Sequence, residues 1–488
     1  MNPNWSFDAW LQAYGAALVV YTMIPVALIL GLQNILYLVQ IFASLRERIA
    51  NPLKVGTHRD LWALSEKQAI PVSIIAPAFN EELTIVDSVR ALLSVNYPAF
   101  EIIVVNDGSN DNTAKTLIDA YRMIPRPPRR VVPLDHQPVR QVYVSPEQPN
   151  LIFIDKENGR KADAVNAGLA HARNPLVCVI DADSLIDKDA MLRVVQPFLD
   201  DDGSLLAVGG NIRLTNGCDV RGGKVREIGF PKEWIARFQV LEYLRAFMVS
   251  RVSASRWSVL MLISGAFGVF RRDAVLEVGG FEHGTVGEDL ELVVRLHRKS
   301  IEKGKPGRIA YVADALCWTE APFDYRGISN QRARWTQGGL EVLAKHRHML
   351  FNPRYGRPGM IGMPMVLLET LLTPLAELVS YVVLVFALVF GIKTWAYAFA
   401  LVVFSALLGS LVSLLCIGFE ELQQRRYERG SHVALLVLCA FLECFGYRQL
   451  NFWFRLRGIG RFLKKEQSWA AVQRRGFEVG NAAAGGAS

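Results

Sequence analysis

Charge is missing from two long stretches of this 488-residue chain. No Asp, Glu, Lys or Arg occurs between Ala9 and Leu45, and Lys393 stands alone between Leu378 and Phe419. Each stretch exceeds the roughly 17–25 apolar residues that cross a bilayer, which excludes a wholly soluble protein. Cysteine is scarce: the six residues form no CxxC pair, which argues against a zinc ribbon or a dithiol redox motif. Three of them (Cys416, Cys439, Cys444) lie in apolar segments, and all are expected to be reduced and structural. The eight histidines show no HxxxH spacing and receive no ligand role. No interleaved basic and aromatic pattern occurs, so a nucleic-acid partner is not expected. The net charge of +8 instead traces to basic clusters beside the apolar runs, suited to anionic membrane lipids.

What is present divides the chain into four parts. Residues 1–48 read as a transmembrane anchor, with one span at 17–42 and Trp10 and Tyr14 in the interface. The run lacks the basic start and cleavage-like end of a secretory signal. Arg46, Arg48 and Lys54 follow it while only Asp8 precedes it, which places the next domain on the cytoplasmic side of the plasma (inner) membrane. Residues 60–355 have ordinary globular composition. Residues 359–465 hold C-terminal transmembrane or interfacial helices, making a multi-pass protein: Met365–Gly391 and Trp395–Gly418 read as spans joined by GIKT. Val433–Phe454 is interrupted by Glu443 and Arg448. It is either a third span or a re-entrant or interfacial helix, the latter agreeing better with the basic tail behind it. Glu369 and Glu377 are expected to face an interior or aqueous path rather than lipid. Residues 466–488, ending NAAAGGAS, read as a disordered tail without a further domain.

The middle region alternates apolar strands with helical patterns, in PVSIIAPAFNEE, FEIIVVNDGSNDNT, NLIFIDKENGRKADAVNAGL and NPLVCVIDADSLID. Such alternation predicts an α/β fold with a parallel sheet and ligands at the carboxyl ends of the strands. Asn80, Asp107, Lys161, Asp181 and Asp183 fall at those ends. In DAD, Asp181 and Asp183 project to one side of an extended chain, a geometry suited to a hard divalent cation or to a solvated turn. In QRARW, Gln331, Arg334 and Trp335 share one helix face. That face could offer an amide, a guanidinium fork and an indole to a ligand, or it could be an amphipathic helix with its Trp in the core. The Pro/Arg-rich stretch 122–149 reads as disordered, with docking as the alternative. Trp234–Arg251 reads as core packing or as an interfacial helix.

Asn80, NDGS, NGRKADAVNAGL, DAD, GED (287–289) and QRARW, in this order between membrane segments, resemble the processive family 2 glycosyltransferases of GT-A fold. That group contains cellulose, hyaluronan and poly-N-acetylglucosamine synthases, and the resemblance covers residues 70–345 plus the flanking helices. It implies a Rossmann-like α/β GT-A domain inserted between transmembrane helices, which polymerises sugar from a UDP-sugar donor onto a growing β-linked polysaccharide. By the same resemblance Asp107 meets the uracil, and Asn80, Lys161, Asp181, Gln331 and Arg334 serve the donor side. Asp183 holds Mg2+ or Mn2+, Asp289 with its neighbour Glu288 is catalytic, and Trp335, Ser264 and Gly265 meet the acceptor. Three positions depart from the pattern: Asn106 for an acid, Arg160 for a glycine, and Gly287 for a threonine. Arg160 could contact phosphate or face water. Glu291 is equally a site residue or part of an acidic helix start. A separate regulatory or export protein is a possible partner. Single addition to a lipid carrier, and a non-catalytic transporter or receptor, are the rival readings.

Overall fold

The computed structural model describes residues 7–50, 69–127, 131–424, 427 and 429–466. Lys54, Arg425, Arg426, Glu428 and the tail after Glu466 lie outside the described residues. Helix α1 (Phe7–Ala50) runs unbroken past both ends of the span read from sequence. Trp10 and Tyr14 are therefore on the same rod. Gln12 reaches the far turn of the helix bundle, donating to the Gly391 carbonyl at 2.9 Å and accepting from Lys393 N at 3.1 Å.

The globular region begins β1 (Val72–Ala78), α2 (Ile85–Leu93), β2 (Phe100–Asp107), α3 (Thr113–Ala120), β3 (Ile124–Arg126), β4 (Val139–Val144) and β5 (Leu151–Lys156). It continues α4 (Arg160–His171), β6 (Leu176–Ile180), β7 (Leu185–Ile186), α5 (Ala190–Leu199), β8 (Leu205–Leu214), β9 (Asp219–Arg221) and β10 (Lys224–Glu227). Helices α6 (Trp234–Tyr243) and α7 (Arg251–Arg256) are joined by a π-helical stretch, Leu244–Ser250. Then come β11 (Phe267–Arg271), α8 (Arg272–Glu277), α9 (Glu288–Glu302), β12 (Arg308–Thr319) and α10 (Tyr325–Lys345). After it lie α11 (Met363–Leu367), α12 (Thr373–Val389), α13 (Trp395–Gln424), α14 (Gly430–Leu442) and α15 (Arg448–Leu463).

Ten strands form one mixed sheet in the order β3-β4-β5-β2-β1-β6-β11-β8-β12-β7. The four strands read from sequence, β5, β2, β1 and β6, are parallel, with nearly every side chain of β1, β2 and β6 buried or half-buried in Val/Ile-rich runs, as two-sided coverage requires. Beyond them β11 runs antiparallel between β6 and β8, while β8 and β12 pair parallel. The register brings the site together. Asp107 pairs with Lys156, Ala78 with Asn106, and Phe267 with Ile180, so the ends of β1, β2, β5 and β6 and the start of β11 share one edge.

Part of residues 122–149 is a correction to the expectation of disorder. β4 pairs antiparallel with β5 and β3 with β4, extending the sheet edge. Residues 131–138 are tied to α4: Gln137 N donates to both Asp163 oxygens, and Asn166 donates to the Asp135 carbonyl. Proline removes donors but not acceptors or side-chain contacts, so a proline-rich segment can still be held by its neighbours. Residues 128–130 lie outside the described residues.

Among the described residues, four helical segments are long and apolar enough to cross a membrane: Trp10–Glu47, Pro358–Val389, Trp395–Leu422 and Gly430–Leu463. The last is broken at Phe445 and Gly446, where the backbone leaves helical geometry and Gly446 takes φ +101. The 13 residues of α14 rise only about 20 Å, against roughly 30 Å of hydrocarbon. The rod from Trp234 to Arg256 is core: Leu241, Leu244, Met248 and Val249 pack with Cys416, Leu436 and Cys439 of α13 and α14. Glu369 keeps accessible surface and lies within electrostatic reach of Arg251 and Arg455.

Candidate active site

Lys161, one residue into α4, gathers groups from three separate parts of the chain. Its ammonium lies 2.5 Å from Asp181, 3.9 Å from Glu288 and 3.2 Å from the Gly265 carbonyl. Gly265 N donates in turn to Asp289 Oδ2 at 3.1 Å. Burial opposes the lysine's charge, but Asp181, Glu288 and Asp289 outweigh it and raise its pKa. Burial pushes the Glu288 carboxyl up to about 6, although Lys161 pulls the other way. A Cβ at position 265 would stand 2.8 Å from the lysine nitrogen, so a larger residue there would displace the ammonium.

Asp183 is buried two residues past Asp181, within electrostatic reach of Tyr243 and Cys317. The two aspartates offer hard carboxylate oxygens, the donor set for Mg2+ or Mn2+. Among the described residues no three His, Cys, Asp or Glu side chains form a cage of their own. A cation here would complete its shell with water and substrate phosphate, which is how Mg2+ is usually held.

Asp107 closes β2 and is buried. Its Oδ1 accepts from Lys156 Nζ at 2.7 Å and from Gly159 N at 2.9 Å. Lys156 is fully buried and also pairs with Asp163. Asn106 donates to Asp155 at 2.7 Å across the paired strands. A second acid at 106 would face that carboxylate, which accounts for the amide. Asn80, at φ +57, accepts from Asn110 N, while its own N–H meets Ser109; it ties two loops together. Ser264 turns its hydroxyl back to Ala266 N at 3.5 Å and is not drawn into the Lys161 cluster.

Arg334 lies within electrostatic reach of Glu288, which joins α10 to the cluster. Gln331 Oε1 is buried with no hydrogen-bond partner among the described residues. Trp335 is 48% exposed, so it is not the core residue of an ordinary amphipathic helix. Arg332, like Ala333, is buried, with its guanidinium 4.3 Å from the Trp335 ring centroid. Gly287, in place of threonine, meets Gly338 of α10; a Cβ there would stand 3.0 Å from the Gly338 Cα. Glu291 is structural: fully buried, it pairs with Arg295 at 2.8 Å, Lys345 at 3.1 Å and His346 at 3.2 Å. Sequence reasoning missed Lys156, Asp163 and Glu242. A lysine closing the buried run LIFID was the one available signal.

The family model for glycosyltransferase-like family 2 matches residues 70–338, more than half of the chain. This chain belongs to that family. Among curated relatives of this family 2 member, the poly-beta-1,6-N-acetyl-D-glucosamine synthase of Staphylococcus epidermidis is 31% identical over 290 residues, 59% of each chain. The enzyme of that name from Staphylococcus aureus strain COL is 29% identical over 319 residues, 64% of this chain and 66% of its own. The match therefore covers less than two thirds of either relative. The fold resembles a Pyrobaculum calidifontis mannosyltransferase solved with GDP-Man and Mn2+, at 18% identity and TM-score 0.52. That similarity covers 91% of this chain and 99% of the other, and it places the family 2 domain in the GT-A class of mixed sheets.

Proposed function

We propose that this protein is a membrane-embedded, inverting synthase. It would polymerise N-acetylglucosamine from a UDP-sugar into a β-1,6-linked polysaccharide and pass the chain across the membrane. The observation that carries the reading is the convergence on Lys161 of Asp181, Gly265, Glu288 and, through the Gly265 amide, Asp289. The relatives' names supply the sugar and linkage.

In the reaction, the acceptor hydroxyl oxygen attacks the anomeric carbon of the donor sugar from the face opposite the diphosphate. The bond from that carbon to the diphosphate oxygen breaks, and its electron pair leaves with UDP. Asp289 takes the hydroxyl proton. Its oxygens are aimed by the Gly265 and Leu290 amides, at 3.1 and 2.8 Å. Lys161 and Arg334 place positive charge beside the diphosphate, and Gln331 lends its amide there. Asp107, held by Lys156, accepts from the uracil N3–H. Asp183 would hold a divalent cation, with Asp181 facing the nucleoside beside it; bound there, the cation would neutralise charge growing on the departing UDP. Trp335 offers its indole face to the terminal sugar of the acceptor. Arg46 and Arg48 in the last turns of α1, with Lys54 after it, favour placing this domain on the cytoplasmic side of an inner membrane, with export left to the chain's helices or a separate protein.

The test is UDP release by the purified full-length chain in lipid, with a panel of UDP-sugars and with Mg2+, Mn2+ or EDTA. UDP-N-acetylglucosamine should support turnover and yield a polymer degraded by a β-1,6-N-acetylglucosaminidase. A single added sugar, or turnover undiminished in EDTA, would overturn the reading.

A further inference from the structure

Arg332 is the residue of QRARW to which the proposed chemistry gives no task, yet it is the most constrained. It is 7% exposed, while Trp335 beside it is 48% exposed. That reverses the usual helix pattern, in which long cations snorkel to water and indoles pack inward. Its guanidinium pairs with Glu242 of α6 and sits against the Trp335 ring at 4.3 Å from the centroid.

Glu242 is itself fully engaged. Its Oε2 also accepts from Tyr447 OH at 3.0 Å, and its Oε1 accepts from Asn451 Nδ2 at 2.9 Å. Tyr447 ends the break between α14 and α15, and Asn451 lies in the first turn of α15. The same α15 grips α10 directly. Arg457 donates to Ser329 at 3.0 Å, and Gly458 packs so close that a Cβ would stand 2.5 Å from the Ala333 carbonyl.

We infer that Arg332 is a positioning residue that fixes the indole plane of Trp335, and that Glu242 ties this position to the break between α14 and α15. A half-exposed tryptophan on an otherwise free helix face would exchange rotamers and lose that freedom on meeting a sugar. The planar guanidinium beneath it removes the freedom beforehand, so sugar binding no longer carries that cost. Lysine would keep the ion pair but not the flat surface.

The inference rests on the reading of Trp335 as an acceptor platform, so the experiment separates the two. The full-length chain in nanodiscs is assayed with UDP-N-acetylglucosamine, Mn2+ and a short β-1,6-linked acceptor, measuring acceptor KM, UDP affinity and product length. Trp335→Ala reports on the platform. Arg332→Met should raise acceptor KM about 2- to 12-fold, the scale of the about 0.5–1.5 kcal/mol for immobilising one side chain on binding, and shorten products at unchanged UDP affinity. The double variant should be no worse than Trp335→Ala alone, because both remove the same contact. Additive losses would overturn the inference and leave the platform standing. Unchanged acceptor KM in Trp335→Ala would overturn the platform and the inference with it. Should Arg332→Met not fold, Arg332→Lys carries the same cycle, with a smaller but equally non-additive loss expected.

Discussion

Lys161→Met removes the ammonium facing Asp181, Glu288 and the Gly265 carbonyl, and its clearest effect should be on pH dependence. Burial holds the Glu288 carboxyl at about 6 even with the lysine present. A unit charge 3.9 Å away contributes about 4 kcal/mol at an effective dielectric of about 20. Lys161 is partly exposed, so solvent screens some of this, and opposite charges at such range typically shift a carboxyl by about 1–3 units. Loss of the ammonium therefore raises the Glu288 pKa further, since the ionised form loses its partner. If ionised Glu288 is the active form, kcat/KM for UDP release should fall below about pH 6 in the wild type. In Lys161→Met that acid limb should move to higher pH by about 1–3 units, whatever happens to the plateau rate. Lys161→Arg keeps the charge and should keep the limb in place. The reasoning is refuted if the limb stays put in Lys161→Met, or if it persists in Glu288→Gln.

Three further outcomes are expected. Asp183→Asn should abolish turnover while UDP binding measured in EDTA survives; full activity would remove Asp183 from the metal role. Asp289→Asn should lower the transfer rate by about 10²–10⁴ at near wild-type donor affinity, and lost donor binding at unchanged rate would reassign it. Glu291→Gln should cost about 3–5 kcal/mol of stability, read as a lowered thermal midpoint, because the buried Arg295 guanidinium loses its counter-charge. Burial raises the Glu291 pKa, but the His346 hydrogen bond and the charges of Arg295 and Lys345 outweigh it, bringing it down to about 2. Its contribution is thus complete above the ordinary carboxylate range and is lost as pH falls toward 2. A variant melting like wild type at neutral pH would refute this.

The parallel half of the sheet was legible because β1, β2, β5 and β6 are apolar runs closed by polar residues. The antiparallel insertion of β11 was not, since GAFGVFRR carries no mark of its partners on either side. Motif order named Lys161, Asp181, Glu288 and Asp289, and these do meet in space. Ser264, read as an acceptor contact, lies in the chain beside Gly265 with its hydroxyl turned to its own backbone. Composition misjudged the Pro/Arg-rich stretch, because the acceptors and donors that hold it belong to α4 and β5. What holds Lys156 and Arg332 was illegible for a related reason. Each looks like a surface cation in sequence, and each is buried only because a distant carboxylate, Asp107 or Glu242, waits for it.

The last apolar segment shows how such distant pairing changes what a charge means. Read along the chain, Glu443 and Arg448 argue only against a membrane span. In the fold, Glu443 accepts from Arg245 at 2.8 Å and from Ser413 at 2.7 Å, and Arg448 lies 3.6 Å away. Those partners come from the α6–α7 rod and from α13, so the pair joins the sheet-bearing domain to the apolar helices at the break itself. The break in turn directs α15 along α10, where Tyr447 and Asn451 hold Glu242 and Glu242 holds Arg332. A segment continuing straight would bury its charges in hydrocarbon without partners and leave α10 uncovered. The interruption that makes the helix a poor span is therefore the feature that brings it onto the helix bearing Gln331, Arg334 and Trp335.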